Sequence, residues 1–485
     1  MLSLRNAGRS SQERLLNLGL AGVLVIPSLL LLIYEQWRLA TMLMFLTLML
    51  LTWRINRTLA ICLCFAYLFL LGDIRRIVDM ASGTAGLDPL LLVGAVFTLY
   101  IGVPILSKVR VRDSLSKVMM VLLGVMVLEI FNPKQGSIFV GLSAGLFWIV
   151  PVVWFWIGRR YGTEAMVSKL LFSVIAPLGV LAALLGLYQN FVGFLPWEQA
   201  WIDAAVAAGY NSLFLAAGQV RAFGFSVNGV EFVELLLVAA VIIGPLATSR
   251  KAIYTLFLPV LFTSIFLASS RTTIIKVILG YAVMWAIRGY AKNRARVFPR
   301  LAVALVIGLG GVLYTASHAS IDEAATTSKS SKADFASSHV IQGLANPLDS
   351  KKSTAGAHAE IFTSGIIAGF TNPVGYGLGA ISLGAGKFSG GEQLEVGSSE
   401  VDISDAFICM GVVGGVCFLL VIYHTLRYLM LYLNYGNRQL GYALAGVLTA
   451  MLGSWIGQGR YAMAPFICFL IGFLAKERND RDNIA

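Results

Sequence analysis

Most of the Lys and Arg residues outside the termini lie in short connections between apolar segments. Four further cations lie beside apolar segments but outside these basic connections. They are Arg221 in QVRAFGFSVNGVEF, Arg271 and Lys276 in FLASSRTTIIKVILG, and Arg460 in WIGQGRYAM. Arginine binds phosphate through two parallel N–H bonds, and lysine binds it as a point charge. Arg221 and Arg271 each come just before an apolar helix, whose free N–H groups favour an anion. We predict a phosphate or pyrophosphate clamp at Arg221 and Arg271, with Lys276 and Arg460 as further anion-binding candidates.

A structural role is the alternative for each of these cations. Their side chains can reach lipid headgroups or pair with a carboxylate, since an unpaired charge inside a membrane is costly. Glu231 and Glu234 are three residues apart, hence on one helix face, and with Asn228 they form a polar stripe. We predict that this stripe supports the site by pairing with and orienting Arg221 or Arg271.

Four residues near the last apolar segments have side chains that can accept a proton: His358, Glu400, Asp402 and Asp405. Each of these candidate general bases has a simpler alternative. Asp402, Ser404 and Asp405 precede an apolar run, where they can cap a helix, while Glu400 and His358 fit a solvated loop. His318 and His339 are expected to be solvated. The five cysteines show no metal or disulfide spacing, so we expect no metal site, and no cofactor is implied.

The composition indicates that membrane helices position these residues. Of the 485 residues, 58% are hydrophobic and 13% charged, whereas a soluble domain has about a quarter charged residues. Fourteen apolar segments approach the length of a spanning helix: 15–33, 38–52, 58–72, 89–106, 117–131, 138–157, 169–191, 228–247, 252–268, 272–287, 301–317, 405–426, 440–455 and 461–475. We predict an all-α polytopic membrane protein with about 14 (12–14) transmembrane helices.

Alternate short connections are rich in Lys and Arg, which places them and both termini in the cytoplasm. The net charge of +12 is thereby explained by topology, and nucleic acid is not an expected partner. This orientation puts 192–227 and 318–404 outside, the second as a long loop before the last three helices, with 319–356 as a linker-like stretch. It also puts the four anomalous cations at or near outer helix ends.

Four short motifs resemble the O-antigen ligase and O-antigen polymerase superfamily. They are RAFGFSVNGVEFVELL, FLASSRTTIIKVILG, TNPVGYGLGAISLG in the long loop, and MGVVGGVCFLL after it. Their order relative to the loop matches the family over about 221–420. The resemblance suggests a division into N-terminal helices 1–220, a ligase- or polymerase-like region 221–475 with its periplasmic loop 318–404, and a cytoplasmic tail 476–485.

The resemblance implies a metal-independent glycosyltransferase of the bacterial inner membrane. Its donor would be a glycan on undecaprenyl diphosphate, bound through Arg221 and Arg271, and its acceptor a second glycan at the periplasmic face. Chain-length regulators or export proteins are further implied partners. Two positions depart from the family: counting back from Pro373 to a further family Arg gives His358, and the ligase histidine position holds Glu400. We therefore favour a polymerase of O-antigen or exopolysaccharide repeats over a ligase that acts on lipid A-core. A secondary transporter or export subunit is the remaining alternative.

Overall fold

The protein is built from helices throughout the part of the chain that the computed structural model describes, which comprises residues 22, 25–83, 88–109, 111–207, 220–248, 252–288, 290, 293–318, 332–346, 355–381, 401–457 and 459–482. Residues 25–33 are helical. The later helices are α1 (Trp37–Ile55), α2 (Arg57–Ser82), α3 (Leu92–Leu106), α4 (Ser114–Glu129), α5 (Ile138–Tyr161), α6 (Glu164–Phe191), α7 (Pro196–Ala207), α8 (Gly229–Thr248), α9 (Phe257–Leu267), α10 (Arg271–Ala286), α11 (Val297–His318), α12 (Lys332–Ala345), α13 (Ala355–Thr371), α14 (Asp402–Tyr432), α15 (Arg438–Ala450) and α16 (Met463–Asp482).

Eight of the described helical stretches are long and apolar enough to cross a membrane: Trp37–Ile55, Arg57–Ser82, Pro89–Leu106, Ile138–Tyr161, Glu164–Phe191, Gly229–Leu246, Arg294–Tyr314 and Asp402–Tyr432. Each coincides with a predicted apolar segment. The all-helical architecture is therefore confirmed for the described residues, and these eight helices are compatible with a multi-pass membrane protein. The count of fourteen spans and the side of the long loop remain predictions.

The chain divides into two compact units, of which the first comprises residues 1–101 and 194–212. The charged residues near the end of α2 form ion pairs with residues of the same unit: Arg38–Asp79, Arg75–Asp88 and Arg76–Asp73. The buried Arg76 also lies 4.7 Å from the ring centroid of Trp201 on α7, a cation–π contact. Helix α7 occupies part of the stretch 192–227 that the sequence predicts as an external segment.

The second unit comprises residues 102–193 and 213–485 and holds all the candidate site residues. Helix α8 runs through its interior, with 83% of its membrane-crossing window buried. Helices α5 and α16 pack tightly because glycines face each other's backbone. A Cβ at Gly158 would overlap the carbonyl of Phe469, and one at Gly472 would overlap that of Phe155. Helix α16 continues to Asp482, so most of the predicted tail is helical.

Two helices lie within the long loop predicted over 318–404. The stretch 319–356, predicted as a linker, contains α12, whose Val340 and Leu344 are buried against Phe266 and Ile274. The second of these helices is α13, which begins at Ala355 and ends at Thr371. It packs on α14, where Ser404 Oγ donates a hydrogen bond to the carbonyl of Phe362 at 2.8 Å.

Helix α14 is interrupted at Gly411, and the segment TNPVGYGLG supplies hydrogen-bond partners at the break. Gly411 adopts φ 60°, ψ −161°, which only glycine accepts readily. The freed carbonyls of Ile408 and Cys409 accept the backbone N–H groups of Tyr376 and Gly377, each at 3.0 Å. The glycine-rich segment is therefore a loop that satisfies the backbone of a broken helix.

Candidate functional site

The predicted cations fall into two groups on different sides of α10. Arg271 is the first residue of this helix and Lys276 lies five positions later, which places them about 140° apart around the axis. Arg271 contacts His339, and together with Arg221 they form what we term the arginine–histidine group. Lys276 instead belongs to a network around Arg460. A single ligand phosphate is therefore not surrounded by all four cations.

The side chain of Arg271 lies across one face of α12. Its Nη2 is 3.5 Å from Nε2 of His339, and its guanidinium passes directly over Gly343, four residues further along the same face. A Cβ at Gly343 would overlap Nη1 and Cζ of Arg271. The missing side chain at position 343 thus provides the space in which the guanidinium lies beside the imidazole.

The backbone around Arg221 is held by Gln189 of α6. Gln189 Oε1 accepts the N–H groups of Phe223 at 3.0 Å and Gly224 at 2.9 Å, and its Nε2 donates to the carbonyl of Gly224 at 3.2 Å. Gly224 has a positive φ of 52°, and a Cβ there would meet the ring of Phe232 at 2.8 Å. These hydrogen bonds hold the backbone two and three residues after Arg221.

His339 has the electrostatics of a base. Partial burial, followed by the positive charges of Arg271 and Arg221, lowers the pKa of its imidazole below the usual value of about 6.5. The ring is therefore neutral at pH 7 and able to accept a proton. Both arginines remain charged at this pH. The arginine–histidine group combines two cations with an imidazole whose pKa they lower.

Arg460 is the centre of the second group, the arginine–carboxylate network. Its Nε donates to Glu234 Oε1 at 3.0 Å and its Nη1 to Asp402 Oδ1 at 2.6 Å. Nη2 donates to Ser454 Oγ at 3.2 Å, which also accepts from Lys276 Nζ at 2.7 Å. Burial lowers the pKa of Arg460, but the carboxylates of Asp402 and Glu234 outweigh it, and the pKa lies above its usual range.

The polar stripe of α8 supports this network, which differs from its predicted pairing with Arg221 or Arg271. The ion-pair partner of Glu234 is Arg460. Glu231 Oε1 accepts the N–H groups of Ala462 at 2.7 Å and Met463 at 3.4 Å, at the start of α16, where a negative charge is favourable. Asn228 Nδ2 donates to the carbonyl of Gly459 at 2.9 Å. The stripe therefore fixes the irregular segment between α15 and α16.

Of the four residues predicted as general bases, Asp402 and Asp405 lie at the arginine–carboxylate network. Asp402 is fully buried, and its oxygens accept from Arg460 and from the N–H of Ile456 at 2.7 Å. It does not cap α14 through its side chain, and neither does Ser404. Asp405 is buried beside this network, where its charge acts on Arg460. His358 is exposed in the first turn of α13, and Glu400 lies outside the described residues.

His339 is the site residue that the sequence reasoning missed. It was expected to be solvated because its surroundings are rich in Ser, Ala and Lys. A signal was present in ASSHVIQGLA: Val340 and Leu344 repeat at helical spacing, and Gly343 follows His339 by four. That pattern predicts a short amphipathic helix with His339 and Gly343 on one face.

Comparisons with known proteins give no relative from which a function could be transferred: no family model, no curated protein and no solved structure matches the chain. The resemblance to the O-antigen ligase and polymerase superfamily thus remains a prediction from the four motifs. Within the described ranges, no three His, Cys, Asp or Glu side chains are grouped as metal ligands. The chemistry of the site must therefore be argued from its own residues.

Proposed function

We propose that this protein is a membrane glycosyltransferase whose donor is a glycan on a polyprenyl diphosphate, and that it polymerises repeat units of an O-antigen or exopolysaccharide. The observation that carries the proposal is the contact of Arg271 with His339, whose imidazole pKa is lowered by burial and by the charges of Arg271 and Arg221. Two arginines bind a diphosphate through paired N–H bonds, and a neutral imidazole accepts a proton from a hydroxyl. The four family-like motifs support the same substrate class.

The reaction assigns one role to each member of the arginine–histidine group. The acceptor hydroxyl oxygen forms a bond to the anomeric carbon while the bond from that carbon to the diphosphate oxygen breaks. The electron pair of the broken bond remains on the diphosphate, where Arg221 and Arg271 stabilise the growing charge. The hydroxyl proton moves to His339. The cations stabilise the transition state more than the ground state because negative charge increases as the bond breaks.

The arginine–carboxylate network supports this function indirectly. Every nitrogen of the Arg460 guanidinium donates to a group of the protein, so diphosphate binding there would require breaking buried ion pairs. We assign Arg460, Asp402, Glu234 and Lys276 to holding α8, α10 and α14 against the segment before α16. The helix that begins at Arg271 is thereby anchored through Lys276.

Transfer by the purified protein tests the assignment. With a lipid-linked oligosaccharide as donor, Arg221→Ala and Arg271→Ala should each reduce kcat/KM about 10²–10³-fold, the range measured when one transition-state donor is removed. Arg438→Ala, at an exposed arginine at the start of α15, is the matched control and should retain wild-type transfer. Wild-type transfer by either site variant would refute the diphosphate role.

The state of the acceptor in cells that lack the gene distinguishes a polymerase from a ligase. Loss of the gene should leave single repeat units on their usual acceptor if the protein is a polymerase. Undecorated acceptor, together with long polymer still on the lipid carrier, would instead identify a ligase. The arginine–histidine group is compatible with both acceptors, because it acts on the donor diphosphate and on whichever hydroxyl attacks.

A further inference from the structure

An apolar cleft lies between α9 and α11, and α10 contributes more of its lining residues than either of these helices. Its volume is about 610 Å³, within the range of sites for small ligands. Phe262 from α9, Tyr281 and Trp285 from α10, and Ile307 from α11 line it. The hydroxyl of Tyr281 is already engaged, since it donates to the carbonyl of Ala240 at 2.7 Å. The surface offered to a ligand is therefore almost entirely hydrocarbon.

Such a cleft selects against polar ligands. A hydroxyl or amide placed there would lose its hydrogen bonds to water without gaining new ones. The cleft extends along α10 from Ile274 to Trp285, eleven residues or about 16 Å. Its shape and surface thus fit a linear hydrocarbon chain.

One end of the cleft adjoins the arginine–histidine group. Ile274 is one helical turn from Arg271, so a phosphate on Arg271 would leave its attached chain at the start of the cleft. Phe266, Ile274 and Val312 line this end. The same three side chains pack on Val340 and Leu344 of α12. Helix α12 therefore packs against the side chains that line the cleft at the end nearest Arg271.

Helix α12 contacts the two sites through neighbouring faces. Val340 and Leu344 face the cleft residues, whereas His339 and Gly343, each one position earlier, face Arg271. The cluster that attaches α12 contains two fully or nearly buried side chains, Val340 at 0% and Leu344 at 9% exposure. A chain in the cleft would support Phe266, Ile274 and Val312 from their open side. A chain that contacts these three side chains thereby favours the position of α12 in which His339 lies beside Arg271.

We propose that the cleft binds the first isoprene units of the donor tail and that α12 transmits this binding to His339. The inference rests on the proposed function, because the tail is that of the polyprenyl diphosphate donor. Binding energy from a part of the substrate remote from the reacting carbon is then used to position the base. A donor with a short tail must consequently lose kcat in addition to affinity.

Binding is tested without transfer. A polyprenyl diphosphate that carries no glycan and has a diazirine in its first isoprene unit should crosslink to residues of α9–α11 in the wild-type protein. Ala304→Trp fills the cleft and should reduce labelling at least fivefold, with Ile307→Trp as a second cleft-filling variant. Val306→Trp is the matched control, because Val306 is 72% exposed on the same helix and does not line the cleft. Equal labelling of all four proteins overturns the binding site.

The coupling of tail binding to His339 through α12 is tested by measuring whether kcat or KM changes. With a long-tailed donor, Ala304→Trp should lower kcat about tenfold, to the value that the wild type shows with a short, water-soluble tail, whereas Val306→Trp should not. With the short-tailed donor, Ala304→Trp and the wild type should have equal kcat. A rise in KM at unchanged kcat overturns the relay through α12. Crosslinking in the cleft by a wild type that transfers neither donor contradicts the proposed function and leaves the lipid site standing.

Discussion

His339 derives its proposed chemistry from its neighbours. Burial and two positive charges lower its pKa, so the neutral form that accepts a proton persists below pH 6.5. Transfer by the wild type should therefore decline only as pH falls through this lowered pKa. In Arg271→Gln one of the two charges is absent, so the imidazole pKa rises and the acid limb of the kcat/KM profile moves to higher pH. Profiles of the two proteins between pH 5 and 8 provide the measurement.

Replacing each histidine separates the two loop candidates. His339→Ala should lower kcat about 10²–10⁴-fold, the usual contribution of a general base. His358→Ala, at an exposed residue of α13, should have a much smaller effect. The assignment of His339 as the base is overturned if His358→Ala is inactive while His339→Ala transfers normally. An unchanged pH profile in Arg271→Gln would likewise contradict the electrostatic argument.

Gly343 is predicted to be required for activity, because the guanidinium of Arg271 lies directly over it. In Gly343→Ala the new methyl group would overlap the guanidinium of Arg271. The guanidinium would therefore have to move away from the imidazole of His339. Donor KM should rise and kcat should fall, although alanine favours a helix more than glycine does. Gly310→Ala in α11 is the matched control, since nothing lies within 4 Å of its Cβ position. Steady-state kinetics of both variants decide between a loss of space and a general effect of the substitution.

At the scale of elements, the arginine–carboxylate network connects α8, α10 and α14 to the segment before α16. Arg460→Gln removes the cation and leaves Asp402 and Glu234 as buried charges without their partner. Breaking a buried pair in this way costs about 3–5 kcal/mol. We expect a lower midpoint of thermal unfolding in detergent, whereas Arg271→Ala should unfold close to the wild type and lose transfer. An Arg460→Gln protein with wild-type stability and weakened donor binding would return Arg460 to the diphosphate site.

The motif TNPVGYGLG pairs with the interruption of α14. Glycines in TNPVGYGLG suit close approach to a phosphate as well as a tight turn. Here the N–H groups of Tyr376 and Gly377 are occupied by the carbonyls that Gly411 releases from α14. Lys134 reaches the same segment and donates to Asn372 Oδ1 at 2.8 Å. A helix broken inside a membrane protein needs such partners, because an unpaired carbonyl there is costly.

At the scale of the whole molecule, the topology prediction can be tested with substituted cysteines. The five native cysteines are buried, so their replacement provides a background for single reporters. His358→Cys in α13 and Arg438→Cys in α15 are both exposed positions. The orientation from basic connections predicts that an impermeant maleimide labels position 358 in intact cells and position 438 only after permeabilisation. The reverse pattern would invert the protein and place the proposed site in the cytoplasm.

Composition and apolar periodicity by themselves determined that the chain is a helical membrane protein and where its long helices run. Length and hydropathy suffice for this because a membrane accepts few other structures. The sequence also identified Arg221 and Arg271 as candidates, because these two cations lie beside apolar segments and outside the basic connections. Only the tertiary structure decided that Arg271 adjoins His339, 68 residues away, while Arg460 and Lys276 belong to a separate network. Which charges meet depends on the packing of α10 against α12 and the segment before α16, and sequence spacing does not encode those distances.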